Sequence, residues 1–421
     1  MSDAGSPRIG LVSPCGWGNL GDAAIVESAI RHIRARVPGV SLVAFTLNPG
    51  DTARRHGIPA YALDRQAEDG GGAAGPAAPG GSSPAKTRPP LPRPVRGAWR
   101  LLRGATAELR HVVRAYRAVR GLRVLVVCGG GQLDELWGGP YQHPYALWKW
   151  TLLARLRGAR VVFLSVGYGS LTTVVGRWFA RSALGLASYR SCRDQRTHGL
   201  VDRLGVRRAH PVVPDLAYGY PVRPPPSTAA ANGRLTVGVS PMAFRDPRAW
   251  PQKNAEAYAA YVRAVAALVT WLLGRGHRVT FFATARADRR TIADVRVAVE
   301  ALGGAPRPDE GPLHEETVED CLECLRGVDC VVVSRLHSVV LSHLAGKPVL
   351  ALSYDWKVDQ LMMDAGQADL CLGIGAATPD ALTAAFERLE ADRHGIAARI
   401  ASRVEEWRAA VQRQFDEVFA R

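Results

Sequence analysis

Val331 to Lys357, VVVSRLHSVVLSHLAGKPVLALSYDWK, gathers the residue types best suited to chemistry. An apolar run from Val328 to Val333 predicts a buried strand; Ser334-Arg335-Leu336-His337-Ser338 breaks it, and an apolar helical pattern starts there. Gly346-Lys347-Pro348 stops that helix, and a second buried strand, Val349 to Ser353, leads to Tyr354 and Lys357. A helix start offers unpaired N–H groups and the positive end of the dipole, which favours an anion. Arg335 adds a planar two-pronged donor for phosphate or carboxylate. His337 adds the side chain that exchanges protons most easily near neutral pH. The pattern describes an anion site with an acid–base group inside it. Ser334, Ser338, Tyr354 and the Lys357 cation are its further expected contacts.

Two glycine turns offer a second set. A strand from Arg8 to Ser13 ends in Pro14-Cys15-Gly16-Trp17-Gly18-Asn19-Leu20-Gly21-Asp22, ahead of a helix reaching about Arg36. Gly18 and Gly21 let the backbone approach a ligand, and Asn19 and Asp22 stand at the helix start. The spacing of a dinucleotide fingerprint is present, but no ribose-binding acid closes the next strand, Ser41 to Leu47. A strand from Leu122 to Cys128 runs into Gly129-Gly130-Gly131-Gln132-Leu133-Asp134. Asp22 and Asp134 are the candidate general bases; equally, Asp22 caps its helix and Asp134 and Asp215 fix loops. Arg193-Asp194 reads as an ion pair shaping a turn, Arg193 being the better placed to reach a ligand.

These residues need a scaffold, and 421 residues with 47% apolar content provide for two or three globular domains. Strand–helix alternation runs from Arg8 to about Val213 and restarts at Leu235 after a Pro/Ala-rich stretch, 221–233. The expected class is α/β, with two doubly wound parallel-sheet (Rossmann-like) domains facing a cleft. They are placed at 1–222, the acceptor side, and 223–421, the donor side, with the last helix returning to the first domain. Residues 66–97 are Gly, Pro, Ala and Ser and read as a mobile insertion.

The charge of +16 suggests an acidic partner. Nucleic acid is disfavoured, because 49 arginines against 5 lysines are scattered without interleaved aromatics or a DNA-binding motif. A basic amphipathic helix over Arg96–Arg123, with an apolar stripe of Leu102, Ala105, Leu109, Val112, Val113, Tyr116 and Val119, suits packing on a sheet or contact with an anionic membrane. The seven cysteines are scattered and read as reduced thiols. No metal-ligand cluster is read from the spacings. The N-terminus lacks the form of a signal peptide and no run is long and apolar enough for a membrane span, so a cytoplasmic location, peripheral at the membrane, is expected.

In order, Gly16–Asp22, Gly129–Asp134, Ser191-Cys-Arg-Asp194 with Thr197, Val213-Pro-Asp215, Ser334-Arg-Leu-His337 and Gly346-Lys-Pro348 with Tyr354 and Lys357 resemble the polysaccharide pyruvyl transferase family. Thr197 stands where serine is expected, and 66–97 is unusual for the family. The resemblance implies GT-B-like domains and transfer of pyruvate from phosphoenolpyruvate onto two hydroxyls of a cell-wall or exopolysaccharide sugar, often lipid-linked. The product is a cyclic ketal and phosphate is released, with no cofactor. It implies binding roles for Arg335 and Lys357 and a general-acid role for His337. The competing readings are a nucleotide-sugar glycosyltransferase of the same architecture and a non-catalytic glycan-binding protein at the membrane.

Overall fold

The computed structural model describes residues 6–16, 18–68, 93–136, 138–222, 233–303 and 317–419, with the backbone alone over 93–102. Most of the 66–97 insertion and of the 221–233 boundary, and Trp17 and Trp137, lie outside them. The chain forms two compact units, one of Met1–Gly16, Ile33–Val213 and Val418–Arg421, the other of Trp17–His32 and Pro214–Glu417. The division falls at Val213/Pro214 rather than near residue 222, and the glycine turn at Gly18–Asp22 goes with the second unit.

The first unit carries β1 (Arg8–Val12), α1 (Leu20–Arg36, whose last turn alone lies here), β2 (Ser41–Thr46), α2 (Pro49–His56), β3 (Ala60–Ala62), α3 (Arg65–Glu68) and α4 (Arg93–Ala118). It continues with β4 (Leu122–Cys128), α5 (His143–Leu156), β5 (Arg160–Val166), α6 (Val174–Leu186), β6 (Tyr189–Cys192) and α7 (Gln195–Arg203). Its six strands are parallel in the order β3-β2-β1-β4-β5-β6. Near-continuous Val and Leu runs suit strands covered on both faces. Leu125, Val127, Val161 and Phe163 are fully buried with Trp150, whose Nε1 donates to Leu63 O at 2.7 Å.

The second unit carries β7 (Thr236–Ser240), α8 (Ala255–Gly274), β8 (Arg278–Phe281), α9 (Asp288–Ala301), α10 (Val318–Arg326) and β9 (Cys330–Val333). Then come α11 (Leu336–Leu344), β10 (Val349–Ser353), α12 (Trp356–Asp364), β11 (Cys371–Gly373), α13 (Pro379–Ala391) and α14 (Arg393–Phe419). The five strands are parallel in the order β11-β10-β9-β7-β8. Strand order reverses between β7 and β9, which makes their carboxyl ends the place where such sheets bind ligands. The Ser334–Ser338 cluster stands there. The helix α8 is long and apolar enough to cross a membrane, but half of that stretch is buried inside the unit.

The α/β class with two Rossmann-like domains is what the structure contains. Three local expectations change. The sequence reading leaves 48–62 without elements, whereas α2 and β3 form there; β3 is short and has no fully buried residue, so its apolar signal is weak. The strand expected near Ala209–Val213 is a single bridge, Cys192 to Val212. The stripe over α4 is the buried face only in part: Val112 packs on the core and Val119, just past the helix, is buried, but so are His111 and Ala115 outside the stripe, while Leu109, Val113 and Tyr116 are exposed, Leu109 by 64%. Buried Lys149 and Tyr145 hydrogen bond Glu108, and Glu68 meets His111 at 3.0 Å, so polar pairing sets the face against apolar content.

Candidate active site

The site of the second unit is built where β7 and β9 end. Ser334 N donates to Ser240 O at 3.2 Å, carrying the sheet pairing one residue past β9. Arg335 is then the N-cap of α11, with extended backbone and no side-chain cap bond, so the first N–H groups of this helix lack the cap that α8 and α12 receive from Asn254 and Asp355. Ser334 Oγ lies 2.7 Å from the Tyr261 hydroxyl, and Ser338 Oγ lies 2.8 Å from Thr284 Oγ1 and 3.3 Å from Ser240 Oγ. Both serines are buried and engaged inside the protein, so they brace the Arg335–His337 turn.

Arg335 meets Asp288, the first residue of α9, fork to fork: Nε donates to Oδ2 and Nη2 to Oδ1 at 2.8 Å. Asp288 is fully buried, and its Oδ1 also accepts from Ala243 N at 3.0 Å. Burial works against the Arg335 charge, but the Asp288 carboxylate, with Tyr354 and Tyr261 behind it, offsets that and holds its pKa above the ordinary value. The guanidinium is thus fixed in place and kept charged, with two donors used on Asp288.

His337 follows one residue into α11. Its Nε2 lies 3.7 Å from Oδ2 of buried Asp215, an ion-pair distance whenever the ring is protonated, and finds no hydrogen-bond partner. The side chain is only 11% exposed. Asp215 is itself held, with Oδ1 accepting from Ala217 N at 3.0 Å. The ring's other neighbour is Gly21. The turn containing it is stitched to the segment after β8, with Leu20 N donating to Thr284 O at 2.8 Å and Arg286 N to Gly18 O at 3.2 Å, while Asn19 Oδ1 accepts from Gly21 N at 3.0 Å. Gly18 takes a φ of 70°, the region that favours glycine.

A Cβ at Gly21 would stand 1.9 Å from His337 Cγ and 2.2 Å from His337 Cβ. Gly21→Ala therefore has to displace the imidazole. Turnover is expected to drop by about 10²-fold or more with helix content unchanged, as for a catalytic group misplaced by ~1 Å. A variant within twofold of the parent would show that the ring need not sit there.

The profile of the polysaccharide pyruvyl transferase family matches residues 19–355. The chain belongs to that family. Pyruvyl transfer onto polysaccharide is accordingly its broad assignment. No curated protein matches the chain. Among solved structures it is similar to Staphylococcus aureus MnaA in its UDP co-structure, at TM-score 0.57 and 9% identity over 98% of this chain and 96% of that one. A putative UDP-N-acetylglucosamine 2-epimerase from Listeria monocytogenes gives TM-score 0.57 and 10% identity over 98% of each chain. A glycosyltransferase from Rickettsia africae gives 0.52 and 8% over 98% of each. At such identities the likeness is one of fold, the GT-B-like pair of Rossmann-like domains.

The family motifs are distributed unevenly over the two units. Gly18, Asn19, Gly21, Asp22, Ser334, Arg335, His337, Ser338, Tyr354 and Lys357 all belong to the second. The sequence reading has the 16–22 and 129–134 turns face the Val331–Lys357 stretch; within the second unit Gly21 of the 16–22 turn packs on His337. Tyr354 directly follows β10 and meets Trp250 edge-on at 5.9 Å, and Lys357 lies in the first turn of α12, its N–H donating to Asp355 Oδ1 at 3.1 Å.

Gly130, Gly131, Asp134 and Arg193 belong to the first unit. There Asp134 Oδ1 accepts from Leu136 N at 2.8 Å and Ser170 N at 3.2 Å, and Asp194 caps α7 by accepting from Thr197 N at 2.7 Å and Thr197 Oγ1 at 2.8 Å. Arg193 Nε lies 3.6 Å from Asp194. These contacts are the loop-fixing and turn-shaping ones.

Sequence reasoning missed Asp288 and Tyr261, and it took Asp215 only as a loop residue. The available signal was Val213-Pro-Asp215 among the family motifs; Asp288 carried none beyond its place at a helix start. His343, also on α11, is a different kind of histidine. It is buried between Tyr218 (3.1 Å) and Gln367 (2.9 Å), and burial pushes its imidazole down to about 3, so it stays neutral.

Proposed function

We propose that this chain transfers pyruvate from phosphoenolpyruvate onto two hydroxyls of one sugar, forming a cyclic ketal. The observation that carries this reading is the His337–Asp215 pair beside an arginine locked on Asp288, all at the reversal point of one sheet. A sugar hydroxyl attacks the central carbon of the enol phosphate while His337 gives a proton to its methylene, which becomes the methyl group. A second hydroxyl then displaces phosphate. Arg335 offers its remaining donors to the anion, with the start of α11 and Lys357 as further positive groups, and Asp22 takes up the hydroxyl protons. The reaction balances without a cofactor. Phosphate release from phosphoenolpyruvate is expected with at least one member of a broad panel of cell-wall and exopolysaccharide acceptors. Silence across the panel, or stabilisation by UDP- or GDP-sugars instead, would contradict it.

The same reading places the enzyme in the cytoplasm at the membrane face, where lipid-linked acceptors are assembled. Supporting this, exposed Leu109, Val113 and Tyr116 on α4 lie among Arg103, Arg110 and Arg117, also exposed. Binding to anionic vesicles should weaken with salt and fall in Leu109→Asp. Equal affinity for neutral vesicles would contradict the contact.

A further inference from the structure

In the first unit α7 carries His198 and Asp202 one turn apart, and the chain after it brings back His210. His198 Nδ1 lies 3.2 Å from Asp202 Oδ2, and His210 Nε2 lies 3.1 Å from Asp202 Oδ1. The two rings stand 4.5 Å apart, and one ligand atom from each of the three side chains falls within 4.8 Å of the others.

Hydrogen positions decide what this cluster can hold. His210 Nδ1 lies 2.7 Å from Arg208 O, and a carbonyl only accepts, so the ring proton is on Nδ1. In a neutral imidazole Nε2 is then a bare lone pair. It faces a carboxylate oxygen, is buried and has no hydrogen-bond partner, in a residue only 7% exposed. Two acceptors at that distance repel unless a cation joins them, either a second proton or a metal ion. Two imidazoles and a carboxylate form a ligand set suited to zinc and its neighbours. The Nδ1–H to a backbone carbonyl is the outer bond that sets the tautomer of a metal-bound histidine. Bonds of about 2.0–2.1 Å put tetrahedral ligands roughly 3.4 Å apart, close to the two histidine–aspartate separations here. The half-exposed His198 ring can rotate to close the wider gap, and the Asp202 side chain, 55% exposed, leaves the outer side to water.

We propose that His198, Asp202 and His210 form a divalent transition-metal site, with zinc the first choice, that ties the end of α7 to the 207–213 segment. That segment bonds β6 through Cys192 N to Pro211 O and Val213 N to Cys192 O, both at 2.9 Å. The ion therefore fixes the stretch of chain whose beginning holds Asp194 and Thr197. Its role is structural, and it stands independently of the proposed reaction. The spacing H-x3-D-x7-H is visible in the sequence, but only the fold brings His210 back onto α7.

The test uses untagged full-length protein freed of metal by chelator and titrated with cobalt(II), then zinc(II). One equivalent of cobalt should give d–d absorption of low-coordinate geometry, displaced by zinc. At about a hundredfold excess over Kd, zinc should raise the melting temperature by about 2–4 °C. His198→Ala and Asp202→Asn, both at exposed side chains and folded by circular dichroism, should lose the cobalt band and the shift. No cobalt band in the parent would show that the cluster takes a proton alone and would overturn the proposal. So would a band that survives in both variants.

Discussion

Replacing His337 by alanine is expected to lower kcat by about 10²–10⁴-fold, the usual contribution of a well-placed general acid. The fold should survive, because the ring makes one ion-pair contact, with Asp215, and packs against a glycine. Near-native circular dichroism and melting with collapsed turnover would fit the proton-donor role. If KM for phosphoenolpyruvate rose while kcat held, His337 would be a binding group instead. Asp215→Asn separates the two members of the pair. It keeps the bond to Ala217 N, removes the charge beside Nε2, and should reduce kcat by less than His337→Ala.

Asp288→Ala is the change with the largest expected cost to stability. It leaves the Arg335 guanidinium part-buried without its two bonds to the carboxylate, and leaves Ala243 N without its acceptor. Breaking one half of such a pair typically costs about 3–5 kcal/mol, much of it from the stranded charge. Chemical unfolding of the variant should show a loss of that order. Asp288→Leu combined with Arg335→Met should recover most of the stability, because both charges leave together, yet remain inactive. A single variant within about 0.5 kcal/mol of the parent would show that the pair contributes little.

What was legible in the chain follows from how far each signal reaches. The strand, break and helix around Ser334–Ser338 are local, so hydrophobic periodicity finds them, and residue chemistry marks Arg335 and His337. Their partners are distant in sequence. Asp288 lies 47 residues before Arg335, and Asp215 lies in a turn that opens the second unit. Only the strand order brings them to the ends of β7 and β9, and no periodicity encodes strand order. The 16–22 turn shows the same limit: its strand β1 belongs to the first sheet, while Gly21 packs on His337 in the second unit. Along α4, Val112 and the following Val119 turn to the core as the apolar stripe leads one to expect, but Leu109, Val113 and Tyr116 face outward and His111 and Ala115 are buried in their place. The stripe therefore marks the buried face only in part.

The most direct measurement is a crystal structure with phosphoenolpyruvate bound. Its phosphate or carboxylate should lie on Arg335 at the start of α11, with the methylene carbon within about 3–3.5 Å of the His337 ring. The Arg335–Asp288 pair should be unchanged. Phosphoenolpyruvate bound elsewhere, or turned so that its methylene faces away from His337, would contradict the assignment.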